Sequence, residues 1–339
     1  RVLNLMAEDG WISPEEAAAQ TFPETIPPPD GQGSMVGWQG YLLQQVRQEL
    51  VDSGSFTEEE VNSGGLAIIS TLDYDLQQAA VAAMDVMPED TPETVRLAMS
   101  SIDNATGAII AEYAGSDYQT VQINAATQDV ARAASTFKPF SLVPYLEDGG
   151  TMWDTFDGNS PQDFAGVSVP NDENQSYGWV TVERAVTRSI NTVFAAINME
   201  VGPQATQDAL IAAGIPADTP GLYPEVTNVL GTASPHNIDI TRAYATLANG
   251  GVRVDPHIVS EVRDPGGNVT YQAVIEQERV FPEEIVTQFL PAMLSVTATG
   301  GTAAKIQELG EYIGGKTGTS DDFKSAQFAG YTAQVTTAV

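Results

Sequence analysis

The chain has no cysteine, which removes thiol nucleophiles, thiolate metal sites and disulfide crosslinks from consideration. Histidine is nearly as scarce. Only His236 and His257 occur, the latter in an Asp255-Pro256-His257 turn, and neither has a metal-ligand partner at helical or hairpin spacing. Both read as structural or surface residues, and no metal or cofactor is expected. A serine–histidine–aspartate triad would need one of them as its base and finds no support in the sequence. Positive charge is also in short supply: 45 acidic residues face 14 basic ones, for a formal charge of -31. That balance argues against nucleic acid or an anionic membrane as partner and fits a solvated extracellular surface. No apolar run reaches the length of a membrane span and no signal peptide precedes Arg1, so the chain reads as starting inside a longer protein whose membrane anchor lies elsewhere.

Lysine is the scarcer of the two strong bases, and its placement is the most informative feature left. Two of the four lysines stand in Ser135-Thr136-Phe137-Lys138 and Lys316-Thr317-Gly318-Thr319, with Ser189-Ile190-Asn191 between them. In a chain of this composition the first pattern arises by chance about 0.2 times, the Ser-x-Asn about 0.8 times, and Lys-Thr-Gly-Thr on the order of once in a hundred or more chains. The ordered triple is therefore a strong signal. A serine nucleophile with a lysine base also needs no histidine.

The spacings make chemical sense. Ser135 precedes the helical pattern Phe137, Phe140, Leu142, Val143, and an i,i+3 separation puts Lys138 one turn away on the same face. An amine acts as a general base only when neutral, so Lys138 needs a depressed pKa, which burial and a second cation can supply; Lys316 is the candidate cation. The helix N-terminus beside Ser135 favours negative charge on its oxygen. Lys316 to Thr319 fall on an expected strand after Gly314-Gly315. Alternation turns Lys316 and Gly318 to one face, Thr317 and Thr319 to the other, and Gly318 leaves room for a substrate backbone along the strand. Ser189 and Asn191 sit between two expected helices, where both side chains can face a cleft; read alone they would be caps.

The rest of the chain suggests an α+β layout. Ser13-Pro14-Glu15-Glu16 and Thr57-Glu58-Glu59-Glu60 are capping-box helix starts, and Pro27 to Gly33 is a linker by composition. A helix is expected over about 38–51, a strand over 66–71, and a helix capped by Asp73 running to about Met84. A hairpin crosses Asn104 to Gly107 and another Asp264 to Gly267, with a long polar loop from about Thr151 to Gln175. Helices are expected at 181–188, 192–201, 203–213 and 238–249, and from about Pro282, bent at Pro291. Strands over 312–319 and 326–339 close the chain, so one antiparallel sheet is expected to form from the two ends, flanked by helices.

Together the three patterns resemble the SxxK, SxN and KTG motifs of the penicillin-recognising acyl-serine transferases, the penicillin-binding proteins and serine β-lactamases. The resemblance extends to Thr71-Leu72-Asp73 followed by Leu76-Gln77, to Ala125-Ala126-Thr127-Gln128, to the run from Ala243 to Gly251, and to the run from Gly314 to Val339 with Asp322-Phe323-Lys324 and Gly330-Tyr331-Thr332. These features are similar to class A, bifunctional-type penicillin-binding proteins. Members normally continue past the position of Val339. The resemblance implies the transpeptidase and serine β-lactamase-like fold, with residues 1–35 as the C-terminal edge of a glycosyltransferase domain and its linker, 36–94 as a small linker module and 95–339 as the transpeptidase domain. No glycosyltransferase activity is carried over, because that domain's catalytic region is absent.

By the same resemblance the activity is D,D-transpeptidation of peptidoglycan stem peptides through an acyl-enzyme, with β-lactams as inhibitors. Ser135 is the implied nucleophile, Lys138 its base and Ser189 the proton relay. Asn191, Lys316, Thr317, Gly318 and Thr319 bind substrate, and the N–H groups of Ser135 and Thr319 form the oxyanion hole. The implied setting is the extracytoplasmic face of a bacterial membrane, among other cell-wall synthesis proteins. Two other readings stay open. One is a hydrolase, either a carboxypeptidase or a β-lactamase in which Glu225 activates water, although Glu225 sits in a proline-flanked loop and is preferred as a surface acid. The other is a non-catalytic β-lactam sensor or wall-binding module.

Overall fold

Both expected capping boxes are made. Helix α1 (Val2–Glu8) is followed by α2 (Pro14–Ala19), at whose start the Glu16 N–H donates to Ser13 Oγ at 3.1 Å while the Ser13 N–H donates to the Glu16 carboxylate at 2.7 Å. These helices belong to one compact unit, Arg1–Ser34, and the remaining chain, Met35–Val339, to a second. The computed structural model describes residues 2–20, 35–84, 86–88, 90–92, 94–309, 312–320 and 324–339; the Pro27 to Gly33 linker and the Asp322-Phe323 pair lie outside them.

The second unit opens with α3 (Gln39–Asp52), α4 (Glu58–Ser63, with the Thr57 capping box), β1 (Ala67–Ser70) and α5 (Tyr74–Met84). Asp73 starts α5 by accepting from the Leu76 N–H at 2.9 Å. Gln77, buried in the first turn, behaves as a strand partner: its carboxamide exchanges bonds of 2.8 and 2.9 Å with the backbone of Glu112. The Thr71 to Gln77 segment thus stitches the small module to the main sheet.

Strands β2 (Met99–Asp103) and β3 (Ile109–Tyr113) form the first expected hairpin, in which Asp103 Oδ1 accepts from the Ala105 and Thr106 N–H groups. A 3-10 helix, Ala134–Ser141, then runs into α6 (Leu142–Glu147). The stretch read as a long polar loop is instead a folded excursion. Strands β4 (Thr155–Asp157), β5 (Gln162–Phe164), β6 (Val167–Val169) and β7 (Trp179–Thr181) make two ribbons, β4 with β7 and β5 with β6. Strands of three residues are too short for alternation to register in sequence. Their anchor is Asn171, 4% exposed, whose Nδ2 donates to the Gly158 and Gln175 carbonyls at 2.8 and 2.9 Å.

Helices α7 (Val182–Arg188), α8 (Asn191–Val201), α9 (Pro203–Ala213) and α10 (Asn237–Ala248) begin and end within a residue of their expected bounds. Then come β8 (Val252–Val254), β9 (Val259–Arg263), β10 (Val269–Gln272), β11 (Gln277–Arg279) and α11 (Glu283–Ser295), which carries Pro291 inside it. Strand β1 joins the β9–β10 hairpin in a three-stranded sheet, and β8 pairs with β11. The chain closes with β12 (Gly314–Thr319), β13 (Ala326–Tyr331) and β14 (Val335–Ala338). The last stretch is two strands because Thr332 turns the chain, its Oγ1 accepting from the Val335 N–H at 3.1 Å.

The main sheet has the order β12-β13-β14-β2-β3, antiparallel at every step, and joins the hairpin over residues 99–113 to the closing strands over 314–338 as expected. Its companion is a core in which Phe137, Phe140, Phe194, Tyr244 and Phe289 are fully buried. Each such side chain contributes about 2–3 kcal/mol through removal from water. Phe140 and Tyr244 meet edge to face at 5.7 Å, which fixes the 3-10 helix against α10.

One acid is buried in this frame away from the motifs. Glu112 on β3 is 1% exposed; its Oε1 has no hydrogen-bond partner, Oε2 has distant donors in Ser100 Oγ at 3.4 Å and Gln45 Nε2 at 3.5 Å, and the Asn124 side chain stands nearby. Burial pushes its carboxyl up to about 7. The folded state therefore holds this proton more tightly than the unfolded chain, so stability is fully present below about 4.5 and falls as pH rises toward about 7, by about 3 kcal/mol. Glu112→Gln should remove that slope. Urea unfolding at pH 5 and pH 8 tests it: an unchanged pH difference in the variant would mean that Glu112 is not the proton site.

Candidate active site

Ser135 sits in the first turn of the 3-10 helix, where three residues per turn bring positions i and i+3 almost into line and so align Ser135 with Lys138. The preceding Ala134 takes φ +48°, a left-handed conformation unusual for alanine, and is held there by its N–H donating to the Gly231 carbonyl at 2.9 Å. Neighbouring Ala133 donates to the Ala233 carbonyl at 2.9 Å. The first bond of the 3-10 helix runs from Thr136 N–H to Ala133 O, so the Ser135 N–H precedes the ladder and has no backbone acceptor among the described residues. Tyr244 secures the turn from below, its hydroxyl donating to the Thr136 carbonyl at 2.6 Å.

Two amines converge on one hydroxyl. Lys138 Nζ reaches Ser189 Oγ at 3.1 Å, and Lys316 Nζ reaches the same oxygen at 2.8 Å. Ser189 is presented there because it ends α7 in a left-handed conformation, φ +54°. Lys138 also donates to the Ser189 carbonyl at 2.7 Å and to Asn191 Oδ1 at 2.6 Å, and lies 5.5 Å over the Phe194 ring. Both lysines are fully buried. Burial, seconded by the charge of Lys316, holds the Lys138 amine well below its ordinary range, and burial brings Lys316 down to about 7. None of the three acceptors of Lys138 is Ser135, whose Oγ makes no hydrogen bond among the described residues. A neutral amine has two N–H groups, and the Ser189 carbonyl and Asn191 Oδ1, which can only accept, use both. Its lone pair is then left for a hydroxyl.

Asn191, at the start of α8, is engaged at both ends of its carboxamide, accepting from Lys138 and donating to the Pro170 carbonyl at 2.8 Å. Asn171 supports it from the excursion, its Oδ1 accepting from the Thr192 N–H at 3.0 Å. The excursion that sequence reading took for a loop is therefore a wall of the site.

Strand β12 lies at the edge of the main sheet. Phe328 of β13 exchanges both backbone bonds with Val339, so Gln327 and Ala329 turn theirs toward β12, where they face Gly318 and Lys316. Thr317 and Thr319 consequently direct their N–H and C=O groups to the open edge; the Thr317 carbonyl accepts from Lys316 Nζ at 2.9 Å. Alternation of the side chains is as expected, with Lys316 and Gly318 buried and Thr319 exposed. The room at Gly318, however, is already filled by the chain itself: a Cβ there would meet the Ala133 carbonyl at 2.7 Å and Thr136 Cγ2 at 2.9 Å. Gly318 lets β12 touch the 3-10 helix that carries Ser135, rather than opening space for a substrate backbone. Thr302, which no sequence pattern singled out, pairs its hydroxyl with that of Thr317 at 2.8 Å.

The remaining candidates stay apart from this cluster. Glu225 is an exposed loop residue whose backbone carbonyl is held by Asn198 Nδ2 at 3.3 Å. His236 is the N-cap of α10 and contacts the Asp129 carbonyl at 2.8 Å, while His257 uses its backbone beside Gly107 and Ile109. Sequence reasoning missed Gly231, Asn171 and Thr302. Tyr244 lay inside a recognised stretch but without a role.

Comparison with known proteins identifies the family. The family model for the penicillin binding protein transpeptidase domain matches residues 98–339. Penicillin-binding protein 1A of Mycolicibacterium smegmatis is 32% identical over 361 residues, taking in 100% of this chain and 45% of the relative. Penicillin-binding protein 1A of Mycobacterium tuberculosis is 31% identical over 365 residues, with 100% and 43% covered. The structure of the PonA1 protein from Mycobacterium tuberculosis in complex with penicillin V aligns at a TM-score of 0.79 and 28% identity, over 89% of this chain and 83% of that chain. The chain spans less than half the length of the curated relatives it matches. Fold, motif order and a family match across more than two thirds of its residues together show that the chain belongs to the penicillin-binding protein transpeptidase family.

Proposed function

We propose that the protein is a serine D,D-transpeptidase that cross-links peptidoglycan stem peptides and is inactivated by β-lactams. The observation that carries this reading is the convergence of Lys138 and Lys316 on Ser189 Oγ beside an unbonded Ser135. Neutral Lys138 takes the Ser135 proton as Oγ attacks the carbonyl between the two terminal D-alanines. The N–H groups of Ser135 and Thr319 hold the oxyanion, the first ahead of its helix ladder and the second on the open strand edge. Ser189 passes the proton to the departing D-alanine, and Asn191 orients a substrate amide. Lys316, with the hydroxyls of Thr317 and Thr319, holds the terminal carboxylate. An amine of a second stem peptide then takes the acyl group. The module over residues 36–94 serves a catalytic domain over 95–339, and the reaction belongs on the outer face of a bacterial membrane, where the polymer and other wall-building proteins lie. Among the described residues no helix is long and apolar enough to cross a membrane.

Incubation with a fluorescent penicillin, followed by peptide mapping, should place one adduct on Ser135. An adduct elsewhere, or none, would exclude the assignment and return the non-catalytic module to first place. The hydrolase reading is separated by lifetime. Because the Glu225 side chain is exposed and lacks a partner in the site, the penicilloyl-enzyme should persist for minutes, and Glu225→Gln should leave that lifetime within about two-fold. Wild-type turnover within seconds, with the variant trapped, would make the protein a β-lactamase.

A further inference from the structure

Beside the two lysines stands an acid that the mechanism does not use. Asp172 opens a short 3-10 turn, Asp172–Asn174, on the excursion, and the two residues before it are tied to the site. The Pro170 carbonyl accepts from Asn191 Nδ2 at 2.8 Å, and Asn171 Oδ1 accepts from the Thr192 N–H at 3.0 Å. On its other side the Asp172 carbonyl accepts from the Gln175 N–H at 3.0 Å, and the buried Asn171 carboxamide donates to the Gln175 carbonyl at 2.9 Å. The backbone of Asp172 is therefore fixed beside Asn191. Glu173 and Asn174 follow in left-handed conformations, φ +50° and +54°, so the turn keeps this shape against local strain.

The Asp172 carboxylate is exposed and has no hydrogen bond or ion pair among the described residues. It is nevertheless felt at the base. Burial and the charge of Lys316 favour a neutral Lys138 amine, and Asp172 opposes them by favouring the charged form. Most exposed acids of such a chain only keep its surface solvated. Asp172 differs, because it draws charge onto the lysine that must stay neutral while its side chain holds nothing in the fold. A cation from outside that met Asp172 would cancel that effect.

The proposed reaction supplies such a cation. Donor and acceptor are two copies of one stem peptide, so the donor carries the same kind of amine that its neighbour uses to attack, and at neutral pH a free primary amine is an ammonium. Asn191, which orients a donor amide, accepts from Lys138 on one side and donates to Pro170 on the other. Asp172 thus lies beyond Asn191, on the acyl side of the scissile bond and not on the edge strand that holds the terminal carboxylate. We propose that Asp172 forms a specificity subsite for the side-chain ammonium of the donor stem, on the residue preceding the two D-alanines. This assignment rests on the transpeptidase reading and deepens it. The subsite selects donors whose amine is still free over donors whose amine is already joined to a neighbour.

The test uses two donors, the thioglycolate thioesters of Nα-acetyl-L-lysyl-D-alanine and of its Nε-acetyl derivative, and follows thiol release. Wild type should favour the free ammonium by about five-fold in kcat/KM, the upper end for an exposed ion pair, and added salt should shrink the preference. Asp172→Asn should reduce it to less than about two-fold, and Asp172→Glu should keep most of it. Each rate is read beside acylation of the same protein by benzylpenicillin, which carries no cation. A wild-type preference that persists in Asp172→Asn would overturn the assignment; if both donors and benzylpenicillin slowed together in that variant, Asp172 would act only through Lys138. A wild type that is acylated by benzylpenicillin but treats the two donors alike would also overturn it, and would leave the transpeptidase reading standing. One that fails to react even with benzylpenicillin would remove that reading itself.

Discussion

Ser135→Ala is expected to abolish covalent labelling by benzylpenicillin, and Lys138→Met to slow acylation by about 10²-fold or more, the usual loss for a general base. Methionine suits the second position because Lys138 is fully buried between Phe194 and the Ser189 turn, and a truncation there would add a cavity to the chemical change. The variant still leaves the Ser189 carbonyl and Asn191 Oδ1 without their donor, so the fold is checked in parallel by thermal unfolding. Stopped-flow acylation gives the rate. A loss of only a few-fold in a folded variant would show that Lys138 is not the base, and Lys316, which reaches the same Ser189 oxygen, would be next to test.

Gly231→Ala should be nearly as damaging although residue 231 carries no functional group. Gly231 has φ +73°, and a Cβ there would lie 1.9 Å from the Ala134 carbonyl oxygen and 2.4 Å from the Ala134 nitrogen. Both are backbone atoms of the strained residue immediately before Ser135, so no side chain can swing aside. The 3-10 turn must move, and a displacement of about 1 Å at reacting atoms costs about 10²-fold. Gly149→Ala is the control, since Gly149 also has positive φ, +95°, but nothing stands within 4 Å of the new Cβ. It should cost about 1 kcal/mol of stability and leave acylation unchanged. Equal acylation rates in the two variants would mean that Gly231 does not position Ser135.

What the sequence made legible follows from range and repetition. Ser135 and Lys138 are three residues apart and Lys316 to Thr319 are contiguous, so their mutual geometry is local and could be read directly. The sheet joining 99–113 to 314–338 could be expected because strand patterns stood at both ends with helices between. The excursion over 155–181 was hidden because its strands hold three residues each and its anchor is a single asparagine, Asn171. The contact of Gly231 with Ala134 spans nearly a hundred residues, and nothing in Gly231-Thr232-Ala233 announces it. Gly318 was misassigned for a related reason: a glycine advertises closeness without saying to what, and the neighbour proved to be the chain itself. Glu112 lies in a strand where an acid would ordinarily face water, and its burial depends on α3 and α5 packing over it.

The antiparallel sheet built from both ends of its domain has a kinetic consequence. Strand β14 pairs with β2, Val335 opposite Asp103, and β12 reaches the sheet only through β13 and β14. A chain emerging from the ribosome exposes Ser135, Lys138 and Ser189 well before Lys316, and these early residues can condense into their helical core while the sheet still lacks three of its five strands. Closing it requires contacts more than two hundred residues apart, which makes it a slow, late event. The edge that carries Thr319 is then the last surface to be assembled, so on the proposed assignment a chain that still lacks its final hairpin holds Ser135 with only half of an oxyanion site and should not react until that hairpin docks.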